Sequence, residues 1–213
     1  MSVRPLLLMA HGAGAPSSHP WMQRFRGLLG EIGRAETFDY AYAQAGRRAP
    51  DRLPRLIQTH RDALAHHRRS GEPVVLVGKS MGGRVGCHLA LEERVDALVC
   101  LGYPLVGASP RAPVRDAVLY TLETPILFVQ GTRDRLCPLD RLAQVRDRMR
   151  TAHALHVVPD GDHSLEARKR FLREQGETQD DLDAAIVAAI RTFLEEHGVL
   201  RRAAPAPALD VPG

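Results

Sequence analysis

The sequence predicts a three-layer α/β/α fold around a mostly parallel central sheet of about six strands. Two patterns predict it. Short apolar runs alternate with longer segments whose apolar residues recur at helical spacing. The runs are apolar at consecutive positions, as in strands covered on both faces by helices. The length agrees: 213 residues, 44% of them apolar, bury one sizeable core and fall short of two.

Taken in order, Leu6 to Ala10 reads as the first buried strand, followed by a loop of Gly, Pro and Ser. Trp21 to Ile32 reads as a helix, with Trp21, Phe25, Leu28, Leu29 and Ile32 at helical spacing. Thr37 to Ala43 is expected as an aromatic strand, and Asp51 to Arg69 as a helix with Leu53, Leu56, Ile57 and Leu64 on one face. Val74 to Val77 is short and β-branched, hence a central strand, and Ser80 to Glu93 is the helix after it. Strands at Ala97 to Leu101, Ile126 to Gln130 and Ala154 to Val158 follow, with a helix at Leu139 to Met149. A last helix, Asp180 to Glu196, turns Leu182, Ile186, Ile190, Phe193 and Leu194 inward. No internal repeat is found. Residues 1–200 are expected as one domain, and Arg201 to Gly213, rich in Ala and Pro, as a disordered tail.

Charge and composition narrow the function classes. The 29 basic and 25 acidic residues are spread along the chain, so the surplus of +4 makes no concentrated nucleic-acid footprint. No stretch approaches the roughly 18 apolar residues of a membrane span. The run Leu6 to Ala10 is too short for a signal peptide and leads directly into His11-Gly12-Ala13-Gly14. Cys87, Cys100 and Cys137 are odd in number and lack CxxC spacing. They predict neither a disulfide framework nor a zinc site, and a reduced, cytoplasmic setting. The expected partner is a small molecule, not a nucleic acid or a membrane.

The chemistry is concentrated at Gly78-Lys79-Ser80-Met81-Gly82. A serine bracketed by glycines, after a buried strand and before a helix, is the pattern of a nucleophile elbow. The chain reverses within a few residues, and glycines at 78 and 82 remove the Cβ atoms that would clash. The following helix aims its N-terminus at the reacting centre, where its dipole and free N–H groups favour negative charge. One alternative is a glycine-bracketed turn with a helix-capping serine. Another is a phosphate-binding loop ending in Gly-Lys-Ser, but the position needing its first glycine holds Pro73, and the residues between form a strand.

A serine hydroxyl needs a base within hydrogen-bond reach. Of the ten histidines, His153, His156, His163 and His197 follow the elbow's helix. His163 lies in Pro159-Asp-Gly161-Asp162-His163-Ser164-Leu165, a loop just past a strand, with Leu165 expected to start a helix. A loop at the carboxyl edge of a parallel sheet can reach the elbow, whereas His153 and His156 flank or lie on the strand. The base needs a carboxylate on its other nitrogen. Asp134, after the strand Ile126 to Gln130, is the best candidate; Asp140 reads as a first-turn helix acid, and Asp160 and Asp162 are too close in sequence to address the ring well. Asp160, Asp162 and His163 lack matching ligands elsewhere, so no metal is predicted. The oxyanion donors are expected to be the N–H of Met81 and, from the loop after the first strand, that of Ala13 with Gly14 next.

The segments LLLMAHGAGAP, LVGKSMGGRVGCHLA, FVQGTRDRLCP and VPDGDHSL resemble those of α/β-hydrolases over roughly residues 4 to 197. With Gly102-Tyr103-Pro104-Leu105 they look like the small dienelactone-hydrolase-like group, which includes relatives of a subunit of an animal histone-acetyltransferase complex. The resemblance implies Ser80, Asp134 and His163 as a triad, with no cofactor. It departs from the family in two ways: the first antiparallel strands of larger members are not expected, and dienelactone hydrolases proper use cysteine where this chain has Ser80. The stretch Gly102 to Thr124 is short for a lid, so an open site and no large cap are expected. Ester or thioester hydrolysis is the leading activity; amide or peptide cleavage by the same triad, or a non-catalytic scaffold on the same fold, are the alternatives.

Overall fold

A computed structural model describes residues 4–107, 109 and 112–200; the expected tail at 201–213 lies outside the described residues. Six strands form one sheet: β1 (Leu6–Ala10), β2 (Arg34–Phe38), β3 (Val74–Lys79), β4 (Ala97–Leu101), β5 (Ile126–Gly131) and β6 (His153–Val158). Their order is β2-β1-β3-β4-β5-β6 and every pair is parallel. Among the described residues seven helices accompany them: α1 (Pro20–Leu29), α2 (Ala41–Gln44), α3 (Leu53–His67), α4 (Met81–Leu89), α5 (Leu139–Arg146), α6 (Lys169–Gln175) and α7 (Gln179–Glu196).

Strand alternation divides the core in two. Leu7, Met9, Val75, Val77, Val99 and Val129 face α1 and α7, meeting Phe25, Leu29, Ile186, Ile190 and Phe193. Leu6, Leu8, Leu76, Leu98, Cys100 and Phe128 face the other way, against α3, α4 and α5 through Leu64, Cys87, Leu89, Leu142 and Val145. Full burial of each such side chain stabilises by about 1.5–3 kcal/mol. The chain runs from β1 outward to β2, then doubles back across β1 to reach β3. Right-handed crossovers then require the connecting helices on opposite faces, as α1 and α3 are. The reversal leaves a crevice at the carboxyl ends of β1 and β3, where open α/β sheets bind ligands.

The strands at Leu6 and Ala97 match their expected bounds, and the sheet is wholly parallel. The second strand is the main correction. It spans Arg34–Phe38 rather than Thr37 to Ala43, because Leu6 to Ala10 pair with Arg34 to Phe38 in register. Beyond Phe38 the Tyr40 N–H turns away to His11. Tyr40 and Tyr42 then pack beside Ala10, Leu56, Met81 and Val85 through the short helix α2, so their period-two spacing belongs to a turn and not to a strand. Helix α1 ends at Leu29 and not at Ile32, since β2 must begin at Arg34, whose N–H donates to Pro5 O (2.8 Å). Helix α4 ends at Leu89, where the Leu89 carbonyl accepts from both Glu92 and Glu93 N–H groups (2.9 and 2.8 Å). Leu165 does not begin a helix: its φ is +63°, and α6 starts only at Lys169. Between β4 and β5 the described residues include one 3₁₀ turn, Ala117–Tyr120, and no cap domain.

Candidate active site

Ser80 joins β3 to α4 at φ 51° and ψ −114°. A non-glycine residue held there costs on the order of 1–3 kcal/mol, so its surroundings must hold it. The Ser80 N–H donates to Leu101 O of β4 (3.0 Å). A Cβ on Gly78 would stand 2.0 Å from Gly83 N, and one on Gly82 would stand 2.3 Å from Ala10 O. Glycine at 78 and 82 is therefore what lets α4 pack closely against β3 and β1. The Ser80 side chain caps no N–H of α4, which sets aside the helix-capping alternative.

The Ser80 hydroxyl turns instead to His163, with Oγ 2.8 Å from Nε2. His163 Nδ1 lies 2.8 Å from Asp134 Oδ2. A carboxylate only accepts, so Nδ1 carries the proton and Nε2 is free to accept from Ser80. Asp134, fully buried, is satisfied on both oxygens. Leu136 N–H donates to Oδ1 (2.8 Å). The Gln130 amide, oriented so that its oxygen accepts from Tyr103 N–H (2.6 Å), donates to Oδ2 (3.3 Å). The structure thus brings together Ser80, Asp134 and His163 from loops after β3, β5 and β6.

The other candidates stand elsewhere. His153 Nδ1 pairs with Thr151 O (3.0 Å) on β6, and Asp140 sits in the first turn of α5. Asp162 Oδ1 accepts from Ser164 N–H (2.7 Å) and Glu166 N–H (3.2 Å), folding the loop around His163. Asp160, at φ 52°, accepts from Arg168 and lies near Arg133, and the Arg168 guanidinium holds its carboxyl down to about 2. Among the described residues no group of three or more His, Cys, Asp or Glu side chains converges as a metal site, and the three cysteines are buried thiols.

The loop after β1 is fixed from behind. His11 Nε2 accepts from Tyr40 N–H (3.1 Å), so Nδ1 donates to Gly12 O (2.7 Å). Burial lowers the pKa of this imidazole and favours its neutral form. The Tyr42 hydroxyl donates to Ala13 O (3.2 Å) and reaches Gly12 O at 3.4 Å. In a trans peptide the N–H points opposite to the C=O. Holding these two carbonyls back therefore turns the N–H groups of Ala13 and Gly14 the other way. Neither N–H donates to a described residue. Met81 opens α4, so its N–H has no carbonyl one turn earlier inside the helix. A cavity of about 460 Å³ lies between these groups, lined by Gly12 to Ala15, His19, Trp21, Met22, Lys79, Ser80, His163, Ser164 and Glu166.

His11, Tyr42 and Gln130 also hold the site, and no motif in the sequence points to them. His11 has only a local signal, a polar residue directly after a buried strand. The others become visible only once distant elements meet.

No described helix is long and apolar enough to cross a membrane. Residues 3–195 match the family model of an alpha/beta hydrolase domain. Among solved structures, a serine hydrolase homologue from Coxiella burnetii superposes with a TM-score of 0.67 at 16% identity, over 89% of this chain and 90% of that one. A dienelactone hydrolase from Anabaena variabilis gives 0.67 at 19% identity, over 91% and 87%. Est1E from Butyrivibrio proteoclasticus gives 0.65 at 16% identity, over 92% and 89%. At such identities the likeness of the structures speaks for the fold alone, but the family model spans most of the chain: this protein belongs to the alpha/beta hydrolase domain family.

Proposed function

We propose that the chain is a serine hydrolase that cleaves a carboxylic ester or thioester of a small or exposed acyl substrate. The observation that carries this reading is the continuous hydrogen-bond relay from Ser80 Oγ through His163 to Asp134, at 2.8 Å in each step. Ser80 Oγ attacks the carbonyl carbon while His163 Nε2 takes its proton. Asp134 holds the tautomer and stabilises the imidazolium that forms. The N–H groups of Met81 and Ala13, with Gly14 beside them, receive the oxyanion. The tetrahedral intermediate collapses as His163 returns the proton to the leaving oxygen or sulfur. Water, activated by His163, then attacks the acyl-enzyme and restores Ser80. Each step uses groups of this chain and no cofactor.

The absence of a cap among the described residues, with His163 29% exposed, favours short or projecting acyl groups over long buried lipids. Gly102-Tyr103-Pro104-Leu105 supports a place in the dienelactone-hydrolase-like group, whereas serine in place of cysteine at position 80 speaks against the dienelactones themselves as the substrate. The test is labelling by a fluorophosphonate probe, followed by a panel of acyl esters and thioesters of graded length. Wild type is expected to label at one site and Ser80→Ala not at all, with kcat/KM falling by about 10⁴ or more. Equal labelling of the two proteins would remove the serine-hydrolase reading.

A further inference from the structure

Lys79 is given no task by the steps above, although it directly precedes the nucleophile. It is one of two lysines in the chain, with Lys169. Its ammonium donates to the backbone carbonyl of His163. It lies 5.4 Å from the centroid of the Trp21 ring, in the range of a cation–π contact. No described carboxylate comes within ion-pair distance. Gly102 makes room for the contact: at φ +69°, its missing Cβ would stand 2.7 Å from His163 O and 3.3 Å from Lys79 Nζ. The groups that bear on the ammonium are Asp134 after β5, Asp162 and Glu166 in the His163 loop, and His163 itself; from α1 it meets the uncharged Trp21. Burial outweighs those carboxylates and pushes the ammonium down to about 8.

β4 and β5 separate the central strand that carries Ser80 from the edge strand that leads to His163. The Lys79–His163 contact bridges that gap beside the reacting atoms. We propose that Lys79 is a positioning residue that ties the base's loop to the nucleophile's strand through a charged ammonium, so that His163 is held most closely at Ser80 while that charge is present. A charge-assisted N–H···O bond is roughly twice as strong as a neutral one. Loss of the proton therefore loosens the tie, and a base displaced by a fraction of an ångström works less well. The proposal rests on the hydrolase reading, in which His163 is the base.

With two lysines, a protein labelled with ¹³C at lysine Cε gives two resonances, and Lys169→Arg assigns them. One resonance is expected to titrate near pH 8, with the His163 backbone amide shifting over the same range. The wild-type kcat/KM profile is expected to fall on the alkaline side at that pH. Lys79→Met is expected to lower kcat about tenfold or more with KM within about twofold, and to lack the alkaline fall. Lys79→Arg, which cannot lose its proton, is expected to keep more activity than Lys79→Met and also to lack the fall. The proposal is overturned if Lys79 titrates together with Lys169, or if the His163 amide ignores its titration. It is equally overturned if Lys79→Met keeps the wild-type kcat and alkaline limb. The resonance titration needs no turnover and no variant at position 79. It therefore decides the tie even if the chain cleaves none of the esters, an outcome that would count against the hydrolase reading instead.

Discussion

The loops after β1 and β3 are placed by backbone packing and by the uncharged His11 and Tyr42 side chains, whereas those after β5 and β6 draw on charged side chains as well. At the first pair, Gly82 meets Ala10 O and Gly78 meets Gly83 N, so the chain segments are too close to admit a side chain at either position. At the second pair, Asp134 is held by Leu136 N–H and Gln130, and the His163 loop by Asp160, Asp162, Arg133 and Arg168. The halves differ in what they must do. Ser80 and its donors need a fixed position in space. His163 and Asp134 need a fixed tautomer and ring orientation as well, which their hydrogen-bond partners set.

This difference can be broken from either side. Asp134→Asn should have the largest effect, a fall in kcat of about 10⁴ with thermal stability little changed, because the amide favours the wrong His163 tautomer while keeping the volume. Steady-state kinetics alongside a melting curve check it, and a fall below tenfold would detach Asp134 from the base. Gly82→Ala should act through stability, since its methyl meets backbone. A loss of about 1–3 kcal/mol is expected, read as a melting temperature lower by several degrees. An unchanged melting temperature would show that the contact with Ala10 does not set the elbow.

Asp160→Asn should have the smallest effect and a signature in pH. The Asp160 carboxyl is held at about 2 in the folded chain by Arg168, below its ordinary value of about 3.9. Its contribution is therefore complete above about pH 4 and is lost as the pH falls through about 2. The variant's melting temperature should lie lower at neutral pH and decline less steeply than wild type between about pH 4 and pH 2. Parallel curves would mean that the Arg168 pair does not stabilise the loop.

The same contrast explains what the sequence made legible. The elbow is local: strand, glycine, serine and glycine occupy adjacent positions, so Ser80 could be read directly. Asp134 and His163 followed from their places just past strands, which a parallel sheet gathers on one edge. The edge strand β2, Arg34–Phe38, has the sequence RAETF and is half-buried throughout, so it carries no apolar run to mark it. Helix α6 buries no residue and so shows no stripe. In α3 the buried line is Leu56, His60 and Leu64, four residues apart, so spacing alone would have placed His60 inward. Its polar character masked that. Burial lowers His60 to about 3, leaving it neutral at physiological pH and suited to a core position near Phe38 and Tyr40. Gln130, Tyr42 and Lys79 act across approaches of β4, β5 and distant loops, and such approaches leave no mark on neighbouring residues.

The wholly parallel sheet also governs when the chain becomes competent. Parallel neighbours need crossovers and cannot form as tight hairpins, so no two adjacent strands offer an early local unit. During synthesis from the N-terminus, Ser80 emerges first, Asp134 next and His163 last, 83 residues after the nucleophile. A chain still lacking β6 has Ser80 without its His163 partner. On the proposed hydrolase reading, reactivity toward esters would arise only when the outermost strand docks, so that completion of the sheet and activation of the serine would be a single event.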